Sequence, residues 1–386
     1  MLGIELLWYV VAQAMNLLEP AETPARTPAP IFTLAPLVTA PAVVTPAPTS
    51  LAPATPPPRV FGNVTLPPYV AVSPTPTTKS CPPGRQAKPG ETVYMTVDDG
   101  PSIVGRQNLL EALDQIHAKA SFFESGYNLC GSETRFAQTQ QCQSGARSKI
   151  TELSVWTIKL GHMLAAHSDT HFYDAVTTKC DYGKMAAAIK VEDGLARCGH
   201  DPIADFVRGA IHFEDVWRNA TLWDTTEELA LYERQHRNLW TFARLPCTDI
   251  WRMPHYKAAS FGSESAAEKS LRTDIAEQLA SGAKLTCKNE TFSGLPWTVM
   301  GWDVEWRWDS SQLKDLAAEK CRIVQAIEKN FDAPTKDAAR RKGVVLLAHD
   351  FHYSTKELAA MFRDTIVELR LRGYAIDTVD NYKLEV

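Results

Sequence analysis

The sequence predicts an α/β fold, a mainly parallel sheet or barrel standing behind a long proline-rich segment. Three observations predict it. The stretch Glu91–Val97 (ETVYMTV) is rich in β-branched and aromatic residues and runs into the turn Asp98-Asp99-Gly100-Pro101. Short apolar strands then alternate with helical patterns to the end of the chain, the arrangement of parallel sheets. Finally, 16 of the 25 prolines fall between residues 20 and 80, which sets that stretch apart because proline fixes φ and removes a donor.

The 386 residues, 45% hydrophobic, are enough for two average domains or one large α/β barrel. Residues 1–18 include the uncharged run Leu6–Leu18, with Ala12-Gln13-Ala14 resembling a cleavage site. That run is too short for a stable membrane span; an imperfect export signal is expected despite Glu5, with an apolar anchor segment as the alternative. Residues 19–85 read as a disordered Pro/Thr/Ala-rich linker or stalk, and 86–386 as the folded domain. Within it, Asn108–Ala118 has helical spacing and Ala120–Phe123 reads as a strand. Residues 126–148 are polar and read as a loop insertion, Ile150–Leu160 as a helix, His162–His167 as a strand and Lys184–Arg197 as a helix. Residues 205–245 are poorly patterned and read as an insertion. Trp297–Trp302, Val344–His349 and Tyr374–Thr378 read as strands, and Ser354–Arg372 as an amphipathic helix.

The net charge of −5 gives no basic surface for nucleic acid. The eight cysteines contain no C-x-x-C pair, which disfavours a zinc ribbon, and their even number fits disulfides in an oxidising compartment. Cys130 with Cys142 and Cys180 with Cys198 are the short-loop pairings to test. Asn63, Asn219 and Asn289 each head an Asn-x-Thr triplet, a glycosylation acceptor in a secreted eukaryotic protein.

Two segments carry chemistry. Asp98 and Asp99 are adjacent carboxylates at a strand end. Strand neighbours point to opposite faces, so one can bind a metal while the other handles a proton; an ordinary Asp-Gly turn is the alternative. His167 and His171, four apart at another strand end, can converge on one metal. An Asp-His-His set leaves a coordination position open for water, as catalytic zinc sites do.

Thr96-Val97-Asp98-Asp99-Gly100-Pro101 and His167-Ser168-Asp169-Thr170-His171 resemble the first two motifs of the NodB-homology polysaccharide deacetylases, carbohydrate esterase family 4. Lys119–Gly126 and Leu160–Ser168 resemble that family in the matching order. The resemblance covers residues 91–386. It implies a distorted (β/α) barrel preceded by a proline-rich disordered stalk, and metal-dependent removal of N-acetyl groups from a peptidoglycan- or chitin-like polysaccharide by a secreted or cell-surface enzyme. It implies Zn²⁺, or another divalent ion such as Co²⁺, on Asp99, His167 and His171, with Asp98 as general base. Trp251–Tyr256 (WRMPHY) resembles the family's R-x-P motif, so Arg252 is expected to orient Asp98 and Pro254, His255 and Tyr256 to line the substrate groove. Leu347-Ala348-His349 resembles the L-x-H motif, with His349 as general acid. Gly301–Trp306 resembles a fourth motif imperfectly. Asp303, Glu305 and Asp309 are all candidates to tune His349, and the pair Glu305-Trp306 is taken, with Trp306 against substrate; Trp302 and Trp308 are further candidates for sugar stacking, as core tryptophan is for all three. A hydrolase of a small or cyclic amide or an O-acetyl ester on the same scaffold is one alternative, and a catalytically degenerate carbohydrate-binding protein another.

Overall fold

The computed structural model of the chain describes residues 80–129, 146–172, 180–182, 202–282, 296–308 and 313–385, with the backbone of short strands at 60–61, 64–65, 284–287 and 290–293. The proline-rich linker up to residue 79 apart from two of those strands, the helix expected at Lys184–Arg197, and the Cys130–Cys142 pairing lie outside the described residues.

The main sheet has ten strands. β1 (Thr92–Gly100), β2 (Ser121–Glu124), β3 (Met163–Ala166), β4 (Phe242–Ala243), β5 (Trp251–Met253), β6 (Tyr256–Ala258), β7 (Thr298–Val299), β8 (Val304–Glu305), β9 (Gly343–His349) and β10 (Ala375–Asp377) follow the order β8-β9-β1-β2-β3-β4-β7-β5-β6, with β10 also on β1. Every pairing is parallel except β7 with β5 and β5 with β6. Among the described residues the edge strands β8 and β6 do not pair with each other, so the distorted barrel takes the form of a half-barrel.

Helices α1 (Ile103–Asp114), α2 (Ala146–Lys159), α3 (Pro202–Trp217), α4 (Thr226–Leu239), α5 (Ala266–Ser281), α6 (Leu316–Phe331) and α7 (Lys356–Leu371) complete the domain. Along β1 the residues alternate. Val93, Met95 and Val97 join the larger core, which also holds Leu109 and Leu110 of α1 and Phe362 and Ile366 of α7. Tyr94 faces the other way, into a second cluster with Phe123, Met163, Trp251, Tyr256 and Tyr382. Each such large apolar side chain contributes about 1.5–3 kcal/mol by leaving water.

Residues 205–245, read from sequence as an unpatterned insertion, form most of α3 and all of α4. In α3 the buried residues Ile203, Phe206, Val207, Ala210, Phe213 and Trp217 do follow helical spacing, which polar neighbours such as Arg208 and His212 interrupt. α4 buries only Gln235, Asn238 and Leu239. Its sequence is polar, and its N-terminus is fixed by the Thr225 hydroxyl accepting from the Glu228 N–H.

Parallel register aligns the strand ends. His349 stands beside Asp98, Asp98 beside Phe123, Glu124 beside Ala166, and Ala166 beside Ala243. Residues one step beyond those ends, Asp99, His167 and Arg244, therefore meet at the C-terminal edge of the sheet, where α/β folds place their sites.

Candidate active site

Asp98 closes the inner row Tyr94, Thr96, Asp98 of β1. Its Oδ1 accepts from Arg244 Nη1 at 2.7 Å. The same guanidinium is wholly buried and donates to Thr96 Oγ1 at 2.8 Å, to the Met300 carbonyl at 3.1 Å and to the Gly301 carbonyl at 2.9 Å. Its plane lies 4.1 Å over the Phe123 ring. Four acceptors on one planar fork fix both the cation and the carboxylate it holds.

Asp99 diverges from Asp98 because its φ is +64°, in the left-handed region. Its Oδ1 lies 2.8 Å from His171 Nε2 and 3.4 Å from His167 Nε2, yet makes no aligned hydrogen bond. His167 Nδ1 is 2.8 Å from the Arg244 carbonyl. A carbonyl can only accept, so Nδ1 carries the proton and the Nε2 lone pair faces Asp99. One oxygen and two imidazole nitrogens within 4.8 Å of one another, close without hydrogen-bond alignment, suit a divalent cation. Burial pushes the Asp99 carboxyl up, but the neighbouring His171 holds it well below the usual carboxylate range. Burial likewise opposes the charge on His171, and Asp99 outweighs it, pushing His171 up to about 9.

The histidine loop is strained and braced. Ser168, His171 and Phe172 have φ of +68°, +56° and +53°, each costing on the order of 1–3 kcal/mol. Asp205 of α3 answers with Oδ2, which accepts from the N–H groups of Asp169 at 3.1 Å and Thr170 at 3.0 Å, while Arg208 holds its Oδ1 at 2.6 Å. Asp169 Oδ1 lies 3.0 Å from His212 Nδ1. At Gly209 an added Cβ would stand 2.7 Å from the Ser168 carbonyl oxygen, so only glycine lets α3 come this close to the loop.

On the other flank, Arg106 of α1 bridges two carboxylates beneath the ends of β1, β2 and β9. It donates to Glu124 at 2.6 Å and to Asp350, next to His349, at 2.8 Å; all three side chains are fully buried. Phe351 is 53% exposed and its ring lies 5.6 Å from that of His349. Trp308 stands 4.9 Å from His352, and Trp302 5.7 Å from the Arg244 guanidinium.

Several expected site residues lie elsewhere. Arg252 does not reach Asp98: it donates to Glu277 of α5 at 2.7 Å and to the Trp251 and Ala258 carbonyls. β5 runs antiparallel to β7, which carries the Pro254-His255 turn away from the strand ends that hold Asp98. Tyr256 packs near Arg340 and Trp251 in the cluster with Tyr94, at the start of β1. Pro254, His255 and Tyr256 thus stand at the opposite end of the sheet from Asp98. Trp306 is wholly buried, stacked 5.9 Å from Phe362 with its N–H on Glu319 at 2.8 Å, so it is core. The Glu305 carboxylate pairs with Arg307 at 2.5 Å. Asp303 bonds Arg340 and the Val345 N–H, four residues before His349, and Asp309 lies outside the described residues. The Arg-x-Pro segment that meets Asp98 is Arg244-Leu245-Pro246. It carries the same motif as Arg252-Met253-Pro254, and that signal was available in the sequence.

A scan against protein-family models finds no match, and a search of curated proteins finds none either. Solved structures do align. A polysaccharide deacetylase from Bacillus cereus is 17% identical, with 76% of this chain and 94% of that chain covered at a TM-score of 0.39. A family 4 carbohydrate esterase from Streptomyces lividans in complex with acetate is 18% identical, covering 77% and 97% at 0.38. A family 4 pseudoenzyme from Bacillus anthracis is 12% identical, covering 78% and 69% at 0.40. The functional reading therefore rests on the site itself; of these three solved structures, one is a polysaccharide deacetylase and two are described as carbohydrate esterase family 4.

Proposed function

We propose that the protein is a metal-dependent deacetylase that hydrolyses N-acetyl groups of a peptidoglycan- or chitin-like polysaccharide and releases acetate. One observation carries the reading: two adjacent carboxylates are divided between two tasks, Asp98 locked on Arg244 and Asp99 turned onto a histidine pair. An ion-pair network built only for stability would not need that divergence at a strained φ.

Asp99, His167 and His171 would hold Zn²⁺ or another divalent ion such as Co²⁺. Such an ion supplies a Lewis acid that acidifies water and polarises a carbonyl. Asp98, oriented by Arg244, accepts the proton of the attacking water. The N–H of Cys247, which follows Pro246, is the backbone donor for the developing oxyanion. His349, beside Asp98 in register, protonates the departing amine. Phe351 and Trp308 offer aromatic faces for sugar rings next to it. The disulfide Cys81–Cys321 supports a secreted or cell-surface location. Among the described residues no helix is long and apolar enough to cross a membrane.

The test is acetate release from a panel of acetylated polymers, oligosaccharides and small amides, with added zinc or cobalt, with chelator, and with Asp98→Asn. The expected result is chelator-sensitive release from an N-acetylated polymer, reduced about 10²–10⁴-fold by the substitution while metal content is kept. Release only from small amides or O-acetyl esters would move the protein to that class. No release from a metal-loaded protein would make it a carbohydrate-binding relic.

A further inference from the structure

Two free thiols stand behind His171. Cys180 is half-buried and Cys247 exposed, and their sulfurs lie within 4.8 Å of each other and of a His171 ring nitrogen. They come from segments 67 residues apart (247 − 180) that the fold pins together. The Tyr182 hydroxyl donates to the Pro246 carbonyl at 2.6 Å, Asp181 N–H donates to the Phe172 carbonyl at 3.0 Å, and Arg272 holds the Cys247 carbonyl at 2.9 Å. The Tyr182 ring also packs on Phe172 at 4.9 Å. Cys247 sits at a φ of +57°, a conformation that costs energy at a non-glycine residue and is kept here with its thiol turned toward Cys180. The chain already carries the disulfide Cys81–Cys321.

We propose that Cys180 and Cys247 are a modification site, closing into a disulfide that ties the segment Cys180–Tyr182 to the segment after Arg244. The oxidant is a small-molecule disulfide of the glutathione class. The exposed Cys247 sulfur attacks one of its sulfurs, forming a mixed disulfide and expelling one thiol. Cys180 sulfur then attacks Cys247 sulfur, forming the Cys180–Cys247 bond and expelling the second thiol. The two protons leave Cys180 and Cys247 and end on the two expelled thiols, so two protein thiols are oxidised and one small disulfide is reduced.

Closure has a consequence for the neighbouring centre, and that consequence rests on the metal reading proposed above. As a dithiol, the pair forms with His171 a second ligand set for a thiophilic ion, competing for an imidazole that Asp99 and His167 share. As a disulfide the pair is no longer a thiolate donor, and His171 serves only one centre.

The test uses the folded full chain, mildly reduced and then exposed to oxidised glutathione, with alkylation and non-reducing peptide mapping. The expected result is a Cys180–Cys247 linked peptide after oxidation, with both thiols alkylated before it, and loss of that peptide in Cys180→Ser and Cys247→Ser. Equal alkylation of both thiols before and after oxidation overturns the proposal, as does a Cys180–Cys198 peptide. Protection that chelator removes and oxidant does not produce also overturns it, because it marks a metal site. Separately, cadmium titration should give sulfur-to-metal charge-transfer absorption with the reduced protein and none with the oxidised one. A linked peptide with unchanged cadmium absorption would refute the link to His171 and leave the disulfide standing.

Discussion

Replacing Arg244 separates the structural from the chemical role of the Asp98 pair. Arg244→Ala removes a fully buried cation that satisfies Asp98, Thr96 and the carbonyls of Met300 and Gly301. Breaking a buried pair from one side costs about 3–5 kcal/mol, since the remaining charge stays buried without its partner, so this variant should unfold at markedly lower temperature. Arg244→Lys is the sharper probe. It keeps the charge but not the fork, and one ammonium cannot span acceptors on β1 and on the chain after β7. Asp98 should keep a cationic neighbour and lose its aim. Misplacement of a reacting group by about 1 Å costs about 10²-fold, so kcat should fall by that order while metal content and KM hold. Arg252→Ala is the control. Arg252 holds Glu277 and the Trp251 and Ala258 carbonyls at the far end of the sheet from Asp98, so its loss should lower stability and leave kcat/KM essentially unchanged. Acetate-release kinetics and thermal melts on the three variants decide the matter. Arg244→Lys with undiminished kcat would refute Asp98 as an oriented base. A large loss in Arg252→Ala with Arg244→Lys unaffected would restore the role that the sequence resemblance assigned to Arg252.

Three further outcomes are expected. Asp205→Asn should weaken zinc affinity about 10-fold, read by competition with a chromophoric chelator, because partners that orient ligand-bearing segments act on this scale; unchanged affinity would show that the histidine loop holds its shape without α3. Glu124 is pushed up to about 7 by burial, with the single Arg106 cation, shared with Asp350, only partly offsetting it. A carboxyl raised in the folded state contributes stability below its unfolded pKa of about 4.5 and loses it as pH rises to about 7, on the order of 3 kcal/mol. Stability should therefore fall between pH 5 and 8 by about that much more in the wild type than in Glu124→Gln, and parallel pH profiles from urea melts would exclude this. Cys321→Ser should lower the denaturation midpoint by about 2–5 kcal/mol in stability, since the Cys81 link closes a separation of 240 residues; an unchanged midpoint would mean the unfolded chain gains nothing from release.

What the sequence disclosed follows from the reach of its patterns. β1, β2, β3, β9 and α7 are legible because burial on a parallel strand demands continuous apolar runs, and a packed surface helix demands a 3.6-residue period. The pairing of Asp98 with Asp99 and of His167 with His171 is legible because each lies within one strand end. Arg244 was not found although its Arg-x-Pro stood in plain view. Two copies of the same Arg-x-Pro motif, at Arg252 and at Arg244, are separated by whether the chain is parallel or antiparallel where they sit, and local sequence does not encode that. α3 was missed because polar residues on its face toward the site, Asp205, Arg208 and His212, break the apolar stripe. Those residues brace the histidine loop, so the departure from pattern marks the helix's second task. The same holds for backbone strain. Of the seven non-glycine residues with positive φ among those described, five, Asp99, Ser168, His171, Phe172 and Cys247, lie at or just beyond the C-terminal ends of β1, β3 and β4. No propensity would place them there. They persist because Arg244, Asp205, Tyr182 and Arg272 hold them from outside, and what they position is the convergence of Asp99, His167 and His171.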